Sequence, residues 1–241
     1  MLKIVIFFKN ILLLIPITFL INPLYRFYYF LSNFNMLWVW IRKHGKEFEM
    51  NDYYVFRRNY PKRIESFTYL AQNRIKDAPI LYLEFGVASG ISFKWWLDKN
   101  KHPDSVFCGF DTFEGLPEDW NVIQKKGTYA FPVPDIHDSR AHFYTGLFQE
   151  TLHPFIEEQL GLLKSNTKKV IHMDADLYSS TLFVLSQLYQ YLKPGDLILF
   201  DEFNSANHEF RAFLDFTRSF YLKLKPVTAV NNYFQVAFEV E

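Results

Sequence analysis

Val170-Ile-His-Met-Asp-Ala-Asp-Leu-Tyr178 and Leu197-Ile-Leu-Phe-Asp-Glu-Phe203 are two apolar, strand-like runs that each close on acidic residues. A helix-like segment lies between them, and Pro194-Gly195 marks the turn before the second. If the two strands are parallel neighbours they lie about 4.8 Å apart, so Asp174 and Asp201 emerge side by side at their carboxyl ends. Two carboxylates about 4 Å apart repel by about 4 kcal/mol at an effective dielectric of 20. Asp174, Asp176, Asp201 and Glu202 gathered there therefore call for a cation, for protonation or for a set of donors.

The same alternation extends outward in both directions. Strands are expected at Ile80–Glu84, Ser105–Phe110, Ala141–Thr145, Lys169–Met173 and Leu197–Phe200. Helices are expected near 63–76, 91–99, 149–163, 179–192 and 206–219. Two further strand-like runs, Tyr221–Val230 and Tyr233–Val240, meet at Asn231-Asn232, a hairpin signal. The pattern predicts an α/β fold: a doubly wound, mostly parallel seven-stranded sheet ending in an antiparallel β-hairpin. Residues 1–45 read as an apolar, helical N-terminal extension and 46–241 as the main domain, with 46–62 a polar loop.

Composition narrows the function classes. The 241 residues are 49% hydrophobic, enough for a sizeable core, and 26 basic residues balance 26 acidic ones. That balance argues against nucleic acid as a partner. The single cysteine, Cys108, excludes an internal disulfide and fits a reducing, cytoplasmic compartment. Ile11–Ile21 is an apolar run of 11 residues interrupted by Pro16, whereas a membrane span needs about 20. Three readings stay open for this extension: packing on the domain or on a second subunit of a homo-oligomer, membrane-surface association through residues 4–31, and a true span.

Glu84-Phe-Gly86-Val-Ala-Ser89-Gly90 follows the first strand and opens a helix. Glycines there let the backbone approach a ligand, and free amides at the helix start can hold an anionic group. The spacing is not the G-x-G-x-x-G of dehydrogenases, which argues against a nicotinamide oxidoreductase. Asp111 ends the second strand, 21 residues after Gly90, where an acidic side chain can accept hydrogen bonds from ribose hydroxyls. The plainer reading makes it a turn cap in Asp111-Thr-Phe-Glu-Gly115.

Glu84–Gly90, Gly109-Phe-Asp-Thr-Phe-Glu-Gly-Leu-Pro117, Gly146-Leu-Phe-Gln-Glu-Thr-Leu152, Asp174-Ala-Asp-Leu-Tyr-Ser-Ser-Thr181 and Phe200-Asp-Glu-Phe203 occur in this order. Together they resemble class I S-adenosylmethionine-dependent methyltransferases, and more narrowly the macrocin O-methyltransferase family, over about residues 60 to 240. The resemblance implies a Rossmann-like fold and O-methylation of a small-molecule or glycan acceptor, with S-adenosylmethionine as methyl donor and Mg²⁺ assisting. It implies that Glu84, Gly86 and Gly90, with neighbouring Ser89, hold the methionine part of the cofactor, and that Asp111 binds its ribose. Asp174, Asp201 and Glu202 would be the metal ligands, and Asp176 the general base. The family usually shows Asp-Asp-Tyr where this chain has Asp201-Glu202-Phe203, and the longer glutamate arm puts the metal in question.

Each role has a plainer counterpart. Asp176 also suits a cap for the helix beginning near Ser179, and His172 a satisfied core histidine. His208 follows Glu202 closely enough to reach the site as a further catalytic group. The loop-rich stretch Glu118–Ser139 reads as a lid over the acceptor or as a long connection. An alternative of a different class is a catalytically altered methyltransferase fold serving as a membrane-associated binding or scaffold protein.

Overall fold

The structure, a computed structural model, describes residues 1–14 and 18–241; the interruption expected at Pro16 lies outside them. Its strands are β1 (Met50–Asn51), β2 (Ile80–Phe85), β3 (Val106–Asp111), β4 (Ala141–Thr145), β5 (Lys168–Met173), β6 (Leu197–Phe200), β7 (Leu224–Val230) and β8 (Gln235–Val240). They form one sheet in the order β1-β7-β8-β6-β5-β2-β3-β4. Pairing is parallel except at β8, which runs antiparallel to both β6 and β7. Every residue of β2 and β6 is buried, as expected of strands covered on both faces.

The helices are α1 (Leu2–Leu14), α2 (Thr18–His44), α3 (Arg63–Leu70), α4 (Ile91–Lys99), α5 (Phe148–Glu158), α6 (Leu160–Lys164), α7 (Tyr178–Leu188) and α8 (Glu209–Ser219). The period-2 alternation of β2 divides the core. Leu81, Leu83 and Phe85 pack with Leu152, Phe155, Val184 and Phe213 of α5, α7 and α8. Ile80 and Tyr82 pack with Phe67, Phe93 and Trp96 of α3 and α4.

The expected α/β architecture is therefore present, with three differences in detail. An eighth strand, β1, pairs with β7 from within the stretch read as loop; two residues are too short to show a period. The helix expected over 149–163 breaks at Gln159 into α5 and α6. The hairpin turn holds three successive left-handed residues, Asn231, Asn232 and Tyr233 (φ 56°, 58° and 62°), rather than two. Asparagine tolerates that region better than most residues.

Register positions the site. Phe85 pairs with both Phe110 and Met173, and Met173 pairs with Phe200. The next residues along, Gly86, Asp111, Asp174 and Asp201, thus gather at one end of the sheet. Strand order reverses between β2 and β5, and open α/β sheets bind ligands at such a point.

The C-terminal half of α2 is docked on this domain. Leu37 is buried, and the Trp40 ring lies 5.1 Å from Phe203 and 5.5 Å from Phe213. Asn33 donates to Asn207 Oδ1 at 2.9 Å and accepts from Arg211 Nη1 at 3.1 Å. Among the described residues no helix is long and apolar enough to cross a membrane.

Candidate functional site

The turn after β2 is built for close approach. Gly86 has φ +96°, and a Cβ there would lie 1.8 Å from the Asp174 carbonyl oxygen. Only glycine fits where the ends of β2 and β5 meet. Asp111 braces the turn: Oδ2 accepts from the Val87 and Ala88 amides at 2.8 Å each, and Oδ1 from Phe113 at 2.7 Å. The turn-capping role is thus realised, and of a carboxylate's four or so acceptor positions one is left over on a residue that also lines the site's cavity.

Glu84 is 1% exposed at the end of β2. Its Oε2 accepts from the Tyr82 hydroxyl at 2.8 Å, and burial pushes its carboxyl up to about 8. A buried carboxylate so disfavoured gains from a cation placed beside it. His172 is the satisfied core histidine its position suggested: its Nδ1 is 2.9 Å from the Tyr82 hydroxyl, and burial lowers its pKa.

Five carboxyl groups meet beyond β5 and β6. Asp201 is fully buried; its Oδ2 accepts from Tyr60 and lies 3.3 Å from Arg63 Nη1, which is 3.8 Å from Asp174. Burial alone would raise the Asp201 pKa, but His172, the Arg63 guanidinium and the Tyr60 hydroxyl hold it below the usual range. Asp174, Asp176, Glu202 and Glu209 lie on the other side of that balance. Burial, reinforced by neighbouring carboxylates, raises all four, Asp176 to about 7. Asp176 also adopts φ +57°, a strained conformation of the kind that collects at functional sites.

A cavity of about 890 Å³ joins these groups, lined by Glu84, Gly86, Asp111, Asp174, Asp176 and Glu202 among others. Ser89 borders it too, whereas Gly90 is outside the lining and packs so closely on Pro134 that a Cβ there would lie 2.8 Å from its ring. From the stretch read as a lid or a connection, 118–139, Glu118, Trp120 and Tyr129 line the cavity, as does Leu116 just before it, and Glu118 accepts from Ser179 Oγ at 2.9 Å. His208 sits apart, its ring centroid 6.3 Å from that of Trp120 and outside the cavity lining.

The acidic group suits a hard cation. Buried oxygens Asp201 Oδ1 and Glu202 Oε2 have no hydrogen-bond partner, and carboxylate oxygens are what Mg²⁺ takes. Among the described residues the tight donor cluster is His172, Asp174 and Asp201, with one ligand atom of each within 4.8 Å of the others. Glu202 lies outside that cluster, where its longer arm was expected to matter.

Tyr60, Arg63 and Glu209 were not singled out in the sequence. The signal in Tyr60-Pro-Lys-Arg63 was only that of a helix start. Their place depends on the hairpin: Asn231 Oδ1 accepts from the Asn59 amide and Asn232 Oδ1 from the Val55 amide, both at 2.9 Å. Those bonds hold the 55–59 segment, and with it Tyr60, over the acidic group. Glu209 opens α8 and accepts from the Glu202 amide at 2.9 Å.

Comparison with known proteins is consistent with this geometry. A curated relative from Streptomyces olivaceus, 8-demethyl-8-(2,3-dimethoxy-alpha-L-rhamnosyl)-tetracenomycin-C 4'-O-methyltransferase, is 25% identical over 62% of this chain. The chain spans 65% of that relative's length. Two solved structures share the fold. The calicheamicin methyltransferase CalS11 has a TM-score of 0.60 at 22% identity, covering 76% of this chain and 80% of that one. The O-methyltransferase NovP has a TM-score of 0.55 at 20% identity, covering 74% and 79%. Residues 62–236 match the family described as macrocin-O-methyltransferase (TylF), and the chain belongs to that family.

Proposed function

We propose that the chain transfers a methyl group from S-adenosylmethionine to a hydroxyl of a sugar, glycan or small natural product. One observation carries the reading: a single cavity brings Glu84, Gly86, Ser89 and Asp111 together with Asp174, Asp176 and Glu202. Ligand pockets run from about 300 to 1,000 Å³, so about 890 Å³ has room for a cofactor and an acceptor side by side. Family membership and the sugar-directed activity in the relative's name support the same class of acceptor.

In this reading Glu84 faces the cofactor's ammonium group, whose charge offsets the cost of ionising a buried carboxyl. The free acceptor position of Asp111 takes a ribose hydroxyl. The 118–139 stretch, acting as a lid, excludes water, and the cavity walls align the acceptor oxygen with the methyl carbon. As the oxygen–carbon bond forms, the carbon–sulfur bond breaks, sulfur keeps the electron pair as a neutral thioether, and Asp176 takes the hydroxyl proton. Asp174, Asp201 and Glu202 would hold a divalent cation, which when bound makes the acceptor hydroxyl a stronger acid.

Calorimetry with S-adenosylhomocysteine, wild type against Asp111→Ala, tests the cofactor half, and absent or equal binding in both overturns it. Labelled S-adenosylmethionine offered with a panel of glycosides and aglycones tests the acceptor half. Failure to methylate any hydroxylated sugar despite tight cofactor binding would count against this acceptor class.

A further inference from the structure

The described residues before Asn33 include none that is buried, although the stretch is mostly apolar. In α1, Ile4, Val5, Ile6 and Phe7 are 61%, 60%, 47% and 61% exposed. Four consecutive helical residues point about 100° apart, so they cover the circumference rather than one face. In α2, Phe27, Tyr28, Tyr29 and Phe30 repeat the pattern. A second copy or a partner protein covers one stripe of a helix, whereas a helix apolar all round needs an apolar surround. Charge identifies that surround: residues 2–31 carry Lys3, Lys9 and Arg26 and no Asp or Glu.

We infer that residues 2–31 bind the surface of an anionic lipid bilayer. Basic residues are drawn to anionic headgroups, and tyrosines such as Tyr25, Tyr28 and Tyr29 suit the headgroup level, where an apolar ring carries a polar tip. The 13 residues of α1 extend about 20 Å, short of the about 30 Å of a hydrocarbon core. Alone, α1 therefore reaches into one leaflet without crossing it, and there acyl chains can surround a helix that is apolar on every side. Past this stretch α2 runs on to Asn33, Leu37 and Trp40, which are docked beside β6 and α8. The bilayer contact and the wall carrying Glu202 are thus joined by a helix instead of a loose tether.

Vesicle co-sedimentation of the full chain tests this, using phosphatidylcholine alone and phosphatidylcholine with phosphatidylglycerol. The wild type should pellet with the anionic vesicles. A variant carrying Phe7→Ser, Phe8→Ser, Leu12→Ser and Leu13→Ser should bind them at least about tenfold more weakly. Lys3→Gln, Lys9→Gln and Arg26→Gln together should remove the preference for anionic over neutral vesicles. These side chains are solvent-exposed, so all variants should keep wild-type affinity for S-adenosylhomocysteine. Equal pelleting of the serine variant overturns the inference. So does a wild type that ignores vesicles, and one that instead sediments as a dimer which the serine variant breaks would assign the surface to a second copy.

Discussion

Replacing Glu84 with glutamine should stabilise the ligand-free protein at neutral to alkaline pH and weaken its hold on the cofactor. Burial pushes the Glu84 carboxyl from an ordinary 4.5 to about 8. At about 1.4 kcal/mol per pH unit, ionising it in the folded protein costs up to about 5 kcal/mol. The sign follows from proton counts. Below pH 4.5 both states hold the proton and Glu84 adds no pH dependence. Between 4.5 and 8 the unfolded chain has released it and the folded chain has not, so stability falls as pH rises and levels off above 8. Glutamine removes that slope and keeps an oxygen for the Tyr82 hydroxyl, now 2.8 Å from Glu84 Oε2. Urea unfolding should show wild type and variant close together at pH 4.5 and the variant ahead by several kcal/mol at pH 8. Binding should run the other way. Wild-type affinity for S-adenosylhomocysteine should rise by up to about tenfold per pH unit from 6 to 8, because the ligand's ammonium expels the proton. The variant should be weaker at pH 8 and lack that increment. The other carboxyls of the site titrate in both proteins, so the comparison isolates Glu84. Parallel pH profiles in unfolding and in binding would refute the reasoning.

Other perturbations address the rest of the site. Gly86→Ala should cost more than about 3 kcal/mol, or abolish cooperative unfolding, because its methyl would overlap the Asp174 carbonyl at a positive φ; wild-type thermal stability would contradict the close approach of β2 and β5. Asp111→Ala should lower stability by about 1–3 kcal/mol for each backbone amide left without a partner, as well as weakening cofactor binding. Asp111→Asn keeps an acceptor oxygen, so denaturation should register a smaller loss than with alanine. Tyr60→Phe removes a donor to Asp201 and should cost about 1–2 kcal/mol in unfolding experiments, with S-adenosylhomocysteine affinity little changed. Chelator should abolish turnover, and Asp174→Asn should weaken Mg²⁺ binding by calorimetry; full activity in excess chelator would remove the metal from the mechanism.

The parts of the site legible in the sequence share one property: each closes an apolar run. Gly86, Asp111, Asp174 and Asp201 follow strands whose hydrophobicity sets where they stop, and a parallel sheet then aligns their ends. Local pattern and tertiary position therefore coincide. Tyr60 and Arg63 lack that property. The polar stretch before them has no period, and their partner Asp201 is 141 and 138 residues away in the chain. What brings them there is the second role of Asn231 and Asn232. Both residues supply left-handed turn conformations, which composition predicts, and both clamp Val55 and Asn59, which it does not.

That clamp changes how the acidic group is understood. Like charges alone would treat Asp174 and Asp201 as equivalent neighbours on adjacent strands. Asp201 instead receives the Tyr60 hydroxyl and the nearer approach of Arg63, and stays ionised although fully buried. Asp174 is more distant from the guanidinium, its side chain is 22% exposed, and it borders the cavity. One strand end is thus a fixed anion and its neighbour an adjustable one facing the ligand space. A single guanidinium offsets about one of five carboxylates, and Asp174, Asp176, Glu202 and Glu209 share what is left. The site's demand for added positive charge therefore comes mainly from those four groups, with the unpartnered Oδ1 of Asp201 beside them. Asp174→Asn should therefore respond most to a change of cation, whereas Asp201→Asn should cost folding stability as well as cation affinity, by loosening Tyr60, Arg63 and the hairpin behind them.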